Sequence, residues 1–326
     1  MKGITVRIYH QGEALPQLSE EDFFHSPELF HIMEQVPGVW PFMIIASNEQ
    51  GQEAGHLLVT LSRQWSWLPP FLYTHARAYG EGVYPDDDAN HEEVFGAMLH
   101  ALNQKLRYKL CLYSEFSDLS VKMFGYKWFR QNGYFPVRWQ EVHNSLHNMA
   151  PTDRLTTDMR DRIRQMYAHG VETREVENEE EVHAFYKMLN GFYRMKLRRY
   201  IPPRQQFEEL AKTDNARILI TRYKGKIIGG CACVYSGGNA YLWYLASKRR
   251  RYTKHHPDTM TVWYAIQYAY EHNFAHIFFL DVGLPWKKNP FREFILSFGG
   301  KPIGKYRWFR FSIGWLNQLL SWIYKE

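Results

Sequence analysis

Apolar positions along the chain follow the spacing of an amphipathic helix and then of a short strand, and this pattern occurs twice. In the first half, a helical pattern over Glu92–Leu106 leads into an apolar strand at Leu110–Tyr113. In the second half, Thr259–His272 leads into an apolar strand at Ile277–Leu280. Each strand is followed by a helix, a glycine turn and an aromatic strand. The repeat predicts two similar folding units in one chain.

The second half has three strand-like stretches before its repeat, over 217–222, 227–235 and 240–246. Glycine turns separate them, which predicts an antiparallel meander. A hairpin over 42–46 and 56–62 precedes the repeat in the first half. Asp258 stands before the helix at Thr259 as a predicted N-cap residue. This order predicts an α+β fold with two tandem domains, each a mixed, mainly antiparallel sheet flanked by helices.

The length of 326 residues, of which 45% are hydrophobic, is sufficient for two cores. We therefore expect one domain over residues 1–150 and a second over residues 151–326. The first carries 11 Lys and Arg against 17 Asp and Glu (net −6), and the second carries 29 against 17 (net +12), which together give the chain's +6. An anionic ligand is thus expected on the second half.

Three cysteines, Cys111, Cys231 and Cys233, do not make a disulfide framework, and no CxxC pair indicates zinc. The N-terminus lacks the apolar run of a signal peptide, and no apolar stretch approaches the ~20 residues that span a bilayer. These features favour a cytoplasmic protein without a metal site. The segment 315–323 is amphipathic and aromatic. We expect it to pack on its own domain, with peripheral membrane contact as the alternative.

Several short motifs of the second half occur in the order found in one family of enzymes. They are the basic helix Met159–Arg164, the hairpin Tyr223–Gly230, the strand end Phe278–Gly283 and the turn Ser297–Gly300. Their order resembles that of the GNAT N-acyltransferase fold, and the duplication resembles the Fem family of peptidoglycan aminoacyltransferases. The resemblance extends over the whole chain. It implies two GNAT-like domains in tandem and transfer of an acyl or aminoacyl group to an amine.

The resemblance places the acyl donor at the N-terminus of the helix after the meander, where backbone N–H groups favour phosphate. The preceding segment, Ser247–Pro257, has no glycine and carries the densest basic run of the chain, with the donor-binding candidates Arg249, Arg250, Arg251 and Lys254. Ordinary acetyl-CoA users wrap the diphosphate in a glycine-rich loop. The missing glycines argue against an ordinary coenzyme A site, and the Fem resemblance implies aminoacyl-tRNA as the donor. A solvated basic loop is the alternative interpretation of the basic run. The equivalent loop of the first half contains Asp86–Asp88, which would repel phosphate.

Asp281 follows the apolar strand of the second half at its carboxyl end, where ligands bind in open sheets. We expect it to accept a proton from the attacking amine or to orient the substrate. The alternative is an Asp that bonds its own backbone in a turn. Arg292 and Lys301 are expected to reach Asp281 and to keep it ionised, and both are substrate-binding candidates.

Three aromatic residues, Tyr241, Trp243 and Tyr244, lie on the last strand of the meander. Strand alternation predicts that Tyr241 and Trp243 share one face and that Tyr244 takes the other. We interpret Tyr244 as the second catalytic candidate and the other two as substrate-binding residues. A role in the core is the alternative for whichever set is buried.

Arg160 and Arg164 lie one helical turn apart and resemble positions that the family uses near its acceptor. Two guanidinium groups at this spacing can hold a diphosphate, and a solvated helix face is the alternative. Arg204 belongs to a further basic patch with Lys196, Arg198 and Arg199, in a loop that could close over the acceptor.

Three functions stay open from the sequence. The first is an acyl or aminoacyl transferase that acts on an amine of a cell-envelope precursor, peptidoglycan or polysaccharide. Its donor would be aminoacyl-tRNA or acyl-CoA, and its acceptor a nucleotide- or lipid-linked precursor in a cleft between the domains. The second is a coenzyme A-dependent N-acetyltransferase of a small amine or sugar. The third is a non-catalytic RNA- or nucleotide-binding protein with the same fold.

Overall fold

The computed structural model describes residues 3–65, 69, 71–85, 90–120, 123–193 and 200–324. The chain forms two compact units, one of Met1–Trp139 with Lys305–Glu326 and one of Gln140–Gly304. The acidic loop Asp86–Asp88 and the basic residues Lys196, Arg198 and Arg199 lie outside the described residues.

The first unit is an α+β arrangement around one sheet. Strands β1 to β4 pair antiparallel in chain order, β5 pairs parallel with β4, and β12 pairs antiparallel with β5. Its elements are β1 (Thr5–His10), α1 (Pro27–Glu34), β2 (Val39–Ser47), β3 (Glu53–Trp65), β4 (Leu72–Tyr79), α2 (His91–Arg107), β5 (Cys111–Ser117), α3 (Tyr126–Gln131), the beginning of β6 (Phe135–Ser145), most of β12 (Lys301–Phe311) and α9 (Gly314–Ile323).

The second unit repeats this arrangement. Strands β7 to β10 pair antiparallel in chain order, β11 pairs parallel with β10, and the end of β6 pairs antiparallel with β11. Its helices and strands are α4 (Thr157–Ala168), β7 (Val171–Glu175), α5 (Glu179–Tyr193), α6 (Arg204–Leu210), β8 (Ala216–Tyr223), β9 (Lys226–Ser236), β10 (Asn239–Ser247), α7 (Pro257–Glu271), β11 (His276–Phe279) and α8 (Pro290–Leu296).

The repeat predicted from the sequence is therefore present in both units: a meander, a crossover helix and a parallel strand. Helix α2 connects β4 to β5, and α7 connects β10 to β11. The two units exchange their last strands in chain order. Strand β12, which follows all strands of the second unit, pairs with β5 of the first, and the end of β6, which follows the strands of the first unit, pairs with β11 of the second. The expected domains, 1–150 and 151–326, assign residues 305–326 to the second half, whereas in the structure these residues belong to the first unit.

The apolar stripes of the sequence form the two cores. Val94, Met98, Leu102 and Leu106 of α2 are buried against the sheet of the first unit, as their spacing predicts. In the second unit, α4 and α7 cover one face of the sheet with residues such as Met159. Cys231 and Cys233 lie together in this core as free thiols.

Two adjacent glycines of β9 let helices approach both faces of the second sheet. A Cβ atom on Gly229 would lie 2.4 Å from Thr261 Oγ1 and 2.8 Å from the carbonyl oxygen of Pro257, both in α7. A Cβ atom on Gly230 would lie 2.8 Å from a ring carbon of Phe185 in α5. Neighbouring strand residues face opposite ways, so α7 and α5 lie on opposite faces of the sheet.

Helix α7 begins earlier than the sequence predicts. Its N-cap residue is His256, which has a left-handed φ of 41°, and Pro257 occupies the first helical position. Asp258 was predicted as the N-cap, but it lies in the first turn and its carboxylate accepts a hydrogen bond from the Thr259 amide. Proline is favoured at the first helical position because its missing N–H would have no partner there.

Segment 315–323 forms α9 and contacts the first unit, to which it belongs, rather than the second half in which it was expected. None of its residues is fully buried, but Leu316 and Leu320 are half-buried. Asn317 attaches the helix, since its Oδ1 accepts from the Phe311 amide and its Nδ2 donates to the Gly133 carbonyl, and Tyr324 stacks on Phe135 at the end of the helix.

Gly229→Ala should lower the free energy of unfolding by about 1–3 kcal/mol, because the added methyl group meets the backbone carbonyl of Pro257 and displaces α7. Denaturant unfolding measures this change. Gly191→Ala in α5 is the matched control, since a Cβ atom there has no heavy atom within 4 Å and Ala favours a helix. Equal stability of Gly229→Ala and the wild type would contradict this packing argument.

Candidate active site

The parallel pair β10 and β11 separates at the centre of the second sheet. Their pairing covers Ala240–Leu242 and Ile277–Phe279, whereas β10 stays paired with β9 as far as Ser247. A bulge in β10 at Trp243 interrupts the ladder at the point of separation. Bulges bend a strand and increase its twist, and such irregularities are frequent beside active sites. The separation leaves one edge of β10 beyond Leu242 without β11 as its neighbour.

A cavity of about 720 Å³ lies at the end of β10. Its walls are the end of α5 and the basic segment that follows β10, with the lining residues Lys187, Met188, Gly191, Phe192, Ser247, Lys248, Arg249, Arg250 and Arg251. The structure therefore brings together three of the four predicted donor-binding residues. Lys254, the fourth, is exposed in the short 3-10 helix just before α7.

Positive charge is concentrated around this cavity. The pKa of Lys248 is lowered, first by partial burial and then by the charges of Arg251, Lys187 and Lys226. The Lys248 ammonium donates to the carbonyl of Ile227 at 2.7 Å, which fixes the start of the loop. Because like charges held together raise the local potential, the cavity is suited to a multiply charged anion.

The loop around the cavity uses many of its own backbone N–H groups. The amides of Arg251 and Tyr252 donate to the carbonyl of Lys248, and the amide of Lys248 donates to Ile228. The amides of His255 and His256 donate to Tyr252 and Thr253 in turn. A phosphate held here would therefore be bound largely by arginine and lysine side chains, with fewer backbone N–H groups than an anion-binding nest offers.

The bulge changes the faces of the aromatic residues on β10. Tyr244 pairs with Ala232 and Tyr241 pairs with Val234, so both tyrosines lie on the face covered by α5. The predicted alternation, with Tyr244 opposite Tyr241, is therefore wrong, because the extra residue Trp243 shifts the register. All three side chains are buried. The ring of Tyr241 stacks on Phe278, and that of Tyr244 meets Phe207 of α6 edge to face.

Asp281 follows the end of β11 by two residues and is half-buried. Arg292, predicted to contact Asp281, is buried and holds the loop that follows it: its guanidinium donates to the carbonyls of Leu284 and Lys287 at 3.0 and 2.9 Å. Lys301 is exposed at the beginning of β12. The sequence thus placed Asp281 correctly at the strand end. The two hydrogen bonds of Arg292 hold the loop that follows Asp281 in its shape.

The predicted acceptor-binding arginines are on the surface of the second unit. Arg160 and Arg164 are exposed on α4, and Arg164 forms a 3.4 Å ion pair with Asp161. Arg204 begins α6, where its Nε lies 2.9 Å from Glu208. Among the described residues, no group of three or more His, Cys, Asp or Glu side chains could hold a metal ion.

The first unit has a pair of buried acids that the sequence analysis missed. Glu81 follows β4 and Asp118 follows β5, so both lie at the carboxyl ends of parallel neighbours, as Asp281 does in the second unit. Burial, followed by the negative charge of Asp118 and a hydrogen bond with it, raises the pKa of Glu81 well above its ordinary value. Asp118 also accepts from the amide and hydroxyl of Ser120 at 2.9 and 2.6 Å. The two carboxyl groups can thus share one proton.

Comparison with known proteins agrees with this geometry. Residues 153–288 match the family model described as an acetyltransferase (GNAT) domain. No curated protein matches the chain. The structure of FemX is similar over 94% of this chain and 99% of FemX, with a TM-score of 0.65 at 11% identity.

Two further solved structures cover 94% of this chain and 98% of their own. One is a tandem GNAT protein from the clavulanic acid biosynthesis pathway, with a TM-score of 0.56 at 10% identity. The other is L-PGS from Bacillus licheniformis, with a TM-score of 0.54 at 12% identity. These likenesses confirm the tandem GNAT-like fold and the resemblance to Fem proteins. The model match gives the second unit a GNAT acetyltransferase domain, and the chain is by class an acyltransferase.

The wild-type protein should lose stability as pH rises through the folded-state pKa of Glu81, because that pKa lies above its value in the unfolded chain. Glu81→Gln cannot ionise, yet it can still donate to Asp118. Its melting temperature should therefore depend less on pH from about 5 to 9 than that of the wild type. Exposed Glu20→Gln is the control and should follow the wild type. Parallel melting curves for the wild type and Glu81→Gln would rule out the proton-sharing pair.

Proposed function

We propose that the chain transfers an aminoacyl group from aminoacyl-tRNA to an amine of a cell-envelope precursor. The observation that carries this proposal is the cavity at the end of β10, where Arg249, Arg250 and Arg251 meet Lys187. It lies before the N-terminus of α7, the place where a GNAT fold receives its donor. The five cations that line this cavity among the described residues suit a phosphate backbone better than a single neutral acyl group.

The choice of tRNA as donor is supported by the hydrogen bonds within the loop. Coenzyme A binding in ordinary members relies on glycine-rich backbone around a diphosphate. Here the segment has no glycine, and several of its amides are bonded within the loop. Asp258 adds a negative charge to the first turn of α7. Side-chain cations on an exposed rim match the spaced phosphates of a nucleic acid.

A second donor is favoured by one observation. The family model that matches residues 153–288 is an acetyltransferase model, and GNAT domains of that kind use acyl-CoA. In this alternative the chain acetylates a small amine or sugar, and the cavity binds the coenzyme. Met188 and Phe192 would then contact the apolar part of the donor.

The reaction needs few groups beyond correct placement. The acceptor nitrogen, as free amine, attacks the acyl carbonyl, the new C–N bond forms, and the ester C–O bond to the tRNA breaks (the thioester C–S bond with acyl-CoA). One proton leaves the nitrogen for a base, and the departing oxygen or sulfur takes up one proton. We assign Asp281 as the base, with Tyr244 as the alternative, and the open edge of β10 beyond Leu242 as the source of N–H donors for the oxyanion.

The acceptor assignment rests on the Fem resemblance and on surface cations. Arg160 and Arg164 lie on the exposed side of α4 and can hold a diphosphate group. Arg204 and Lys301 are further candidates, and Tyr241 and Trp243 would support the acyl site from within the sheet. Three reduced cysteines fit a cytoplasmic reaction. The acceptor is then a nucleotide- or lipid-linked precursor.

Replacement of Arg249, Arg250 and Arg251 by Ala should weaken tRNA binding and lower the log–log salt slope by roughly 2, because each phosphate of a single strand that no longer meets a cation removes ~0.7 from the slope. Filter binding of charged tRNA and of acyl-CoA, each over a range of salt concentrations, measures this. The matched control removes three charges from α4 (Arg160, Arg162 and Arg164 to Ala). Unchanged tRNA affinity and slope in the loop variant would refute the donor site, and turnover with acyl-CoA alone would select the acetyltransferase alternative.

Asp281→Asn should lower turnover about 10²–10⁴-fold while the melting temperature stays near that of the wild type, because the amide is nearly isosteric but cannot accept the proton. Steady-state acyl transfer, with the donor that the binding experiment selects, measures this effect. Asp214→Asn is the control, since Asp214 is fully exposed in the same unit. Full turnover with an unchanged melting temperature would remove Asp281 from the mechanism.

A further inference from the structure

Large apolar side chains are exposed at one end of the first unit's sheet. The strand pairings show that β3 ends beside the beginning of β4, and that β4 and β5 begin side by side. Strand β12 ends beside the beginning of β5, so the loop from α2 to β5 lies at the same end of the sheet. Trp65, the last residue of β3, is 76% exposed, and Leu110, just before β5, is 89% exposed. Single exposed apolar residues are normal on proteins, but a cluster of this kind indicates an interaction surface.

Helix α9 continues this surface directly after β12. Trp315, Leu319 and Trp322 have the i, i+4, i+7 spacing of one helix face, and the two tryptophans are 68% and 72% exposed. The face of α9 that meets the first unit carries half-buried Leu316 and Leu320 beside Asn317, which bonds to Phe311 and Gly133. The helix is therefore apolar on its outward face as well as on its inward face, unlike an ordinary surface helix, whose outward face is polar.

Basic residues accompany the exposed apolar ones. At the end of α2, exposed Arg107 and Lys109 alternate with exposed Tyr108 and Leu110. The first 150 residues are acidic overall, with 11 Lys and Arg against 17 Asp and Glu, so this basic stretch departs from its own half of the chain. Tryptophan and tyrosine side chains favour the boundary between lipid headgroups and acyl chains, and nearby cations favour anionic headgroups.

We propose that this end of the first unit docks on an anionic phospholipid surface. The occupant is a bilayer because the apolar side chains come from separate loop ends and one helix face, next to cations that complement lipid headgroups. Among the described residues, no helix has the length and apolar character needed to cross a bilayer, so contact would be peripheral. Glu81 and Asp118 lie at the opposite end of the same strands, where docking leaves them uncovered.

The full chain should sediment with vesicles of mixed phosphatidylglycerol and phosphatidylcholine, and less with phosphatidylcholine alone or at high salt. Trp315→Ala with Trp322→Ala should lower the vesicle partition coefficient about tenfold or more, since neither indole ring is then present to enter the lipid boundary. Trp286→Ala is the matched control, because this tryptophan is 56% exposed on the second unit. It should bind vesicles as the wild type does.

A second variant tests the charge. Arg107→Gln with Lys109→Gln should weaken binding to anionic vesicles about fivefold for each cation and reduce its salt dependence. Melting temperatures establish that the variants fold. The proposal is overturned if the wild type binds no vesicles, or if the tryptophan variant binds as well as the wild type. It is equally overturned if Trp315→Ala with Trp322→Ala changes only the oligomeric state in sedimentation velocity, because the surface would then be a protein interface.

Discussion

The arrangement of the second unit depends on the close approach of α7 to Gly229. A hydrogen is all that fits between Gly229 of β9 and the start of α7. There Thr261 Oγ1 bonds Thr221 Oγ1 and the carbonyl of Pro257, each at 2.7 Å. The helix can therefore begin directly over the sheet. Because its start is fixed, the segment from Ser247 must turn within a few residues, and that turn places the arginines on the cavity. Packing in the core thus determines where the charge lies.

Much of the fold could be predicted because its signals are local. The meander strands and the α2 stripe follow from spacing and glycine turns, and the structure confirms them. The basic segment beyond Ser247 was predicted in the same way. The faces of Tyr241 and Tyr244 could not be predicted from the sequence, because one bulged residue in β10 reverses the alternation of side chains. The bulge arises from the pairing of β10 with β9, which no local pattern reports.

Strand β5 shows a second limit of sequence reasoning. Its predicted end was Tyr113, since Ser114, Glu115 and Ser117 read as polar, yet the strand continues to Ser117 with all three buried. Tertiary partners make this possible: Ser114 donates to the Tyr134 hydroxyl at 2.9 Å. Glu115 pairs with Arg77 at 2.8 Å and with Arg307 at 3.2 Å, almost two hundred residues further along the chain. No local pattern reports such partners, and the acid at Asp118 was missed for that reason.

The exchange of the last strands has a consequence for how the chain is made. When synthesis has reached the middle of the chain, the first unit still lacks β12, whose residues pair with β5 at separations near two hundred positions. Arg307 is then also missing, so the buried carboxylate of Glu115 is without one of the two arginines that pair with it in the folded unit. Pairings between such distant segments form slowly and late. On the ribosome the second unit can therefore close before the first, the reverse of the usual order in which domains emerge.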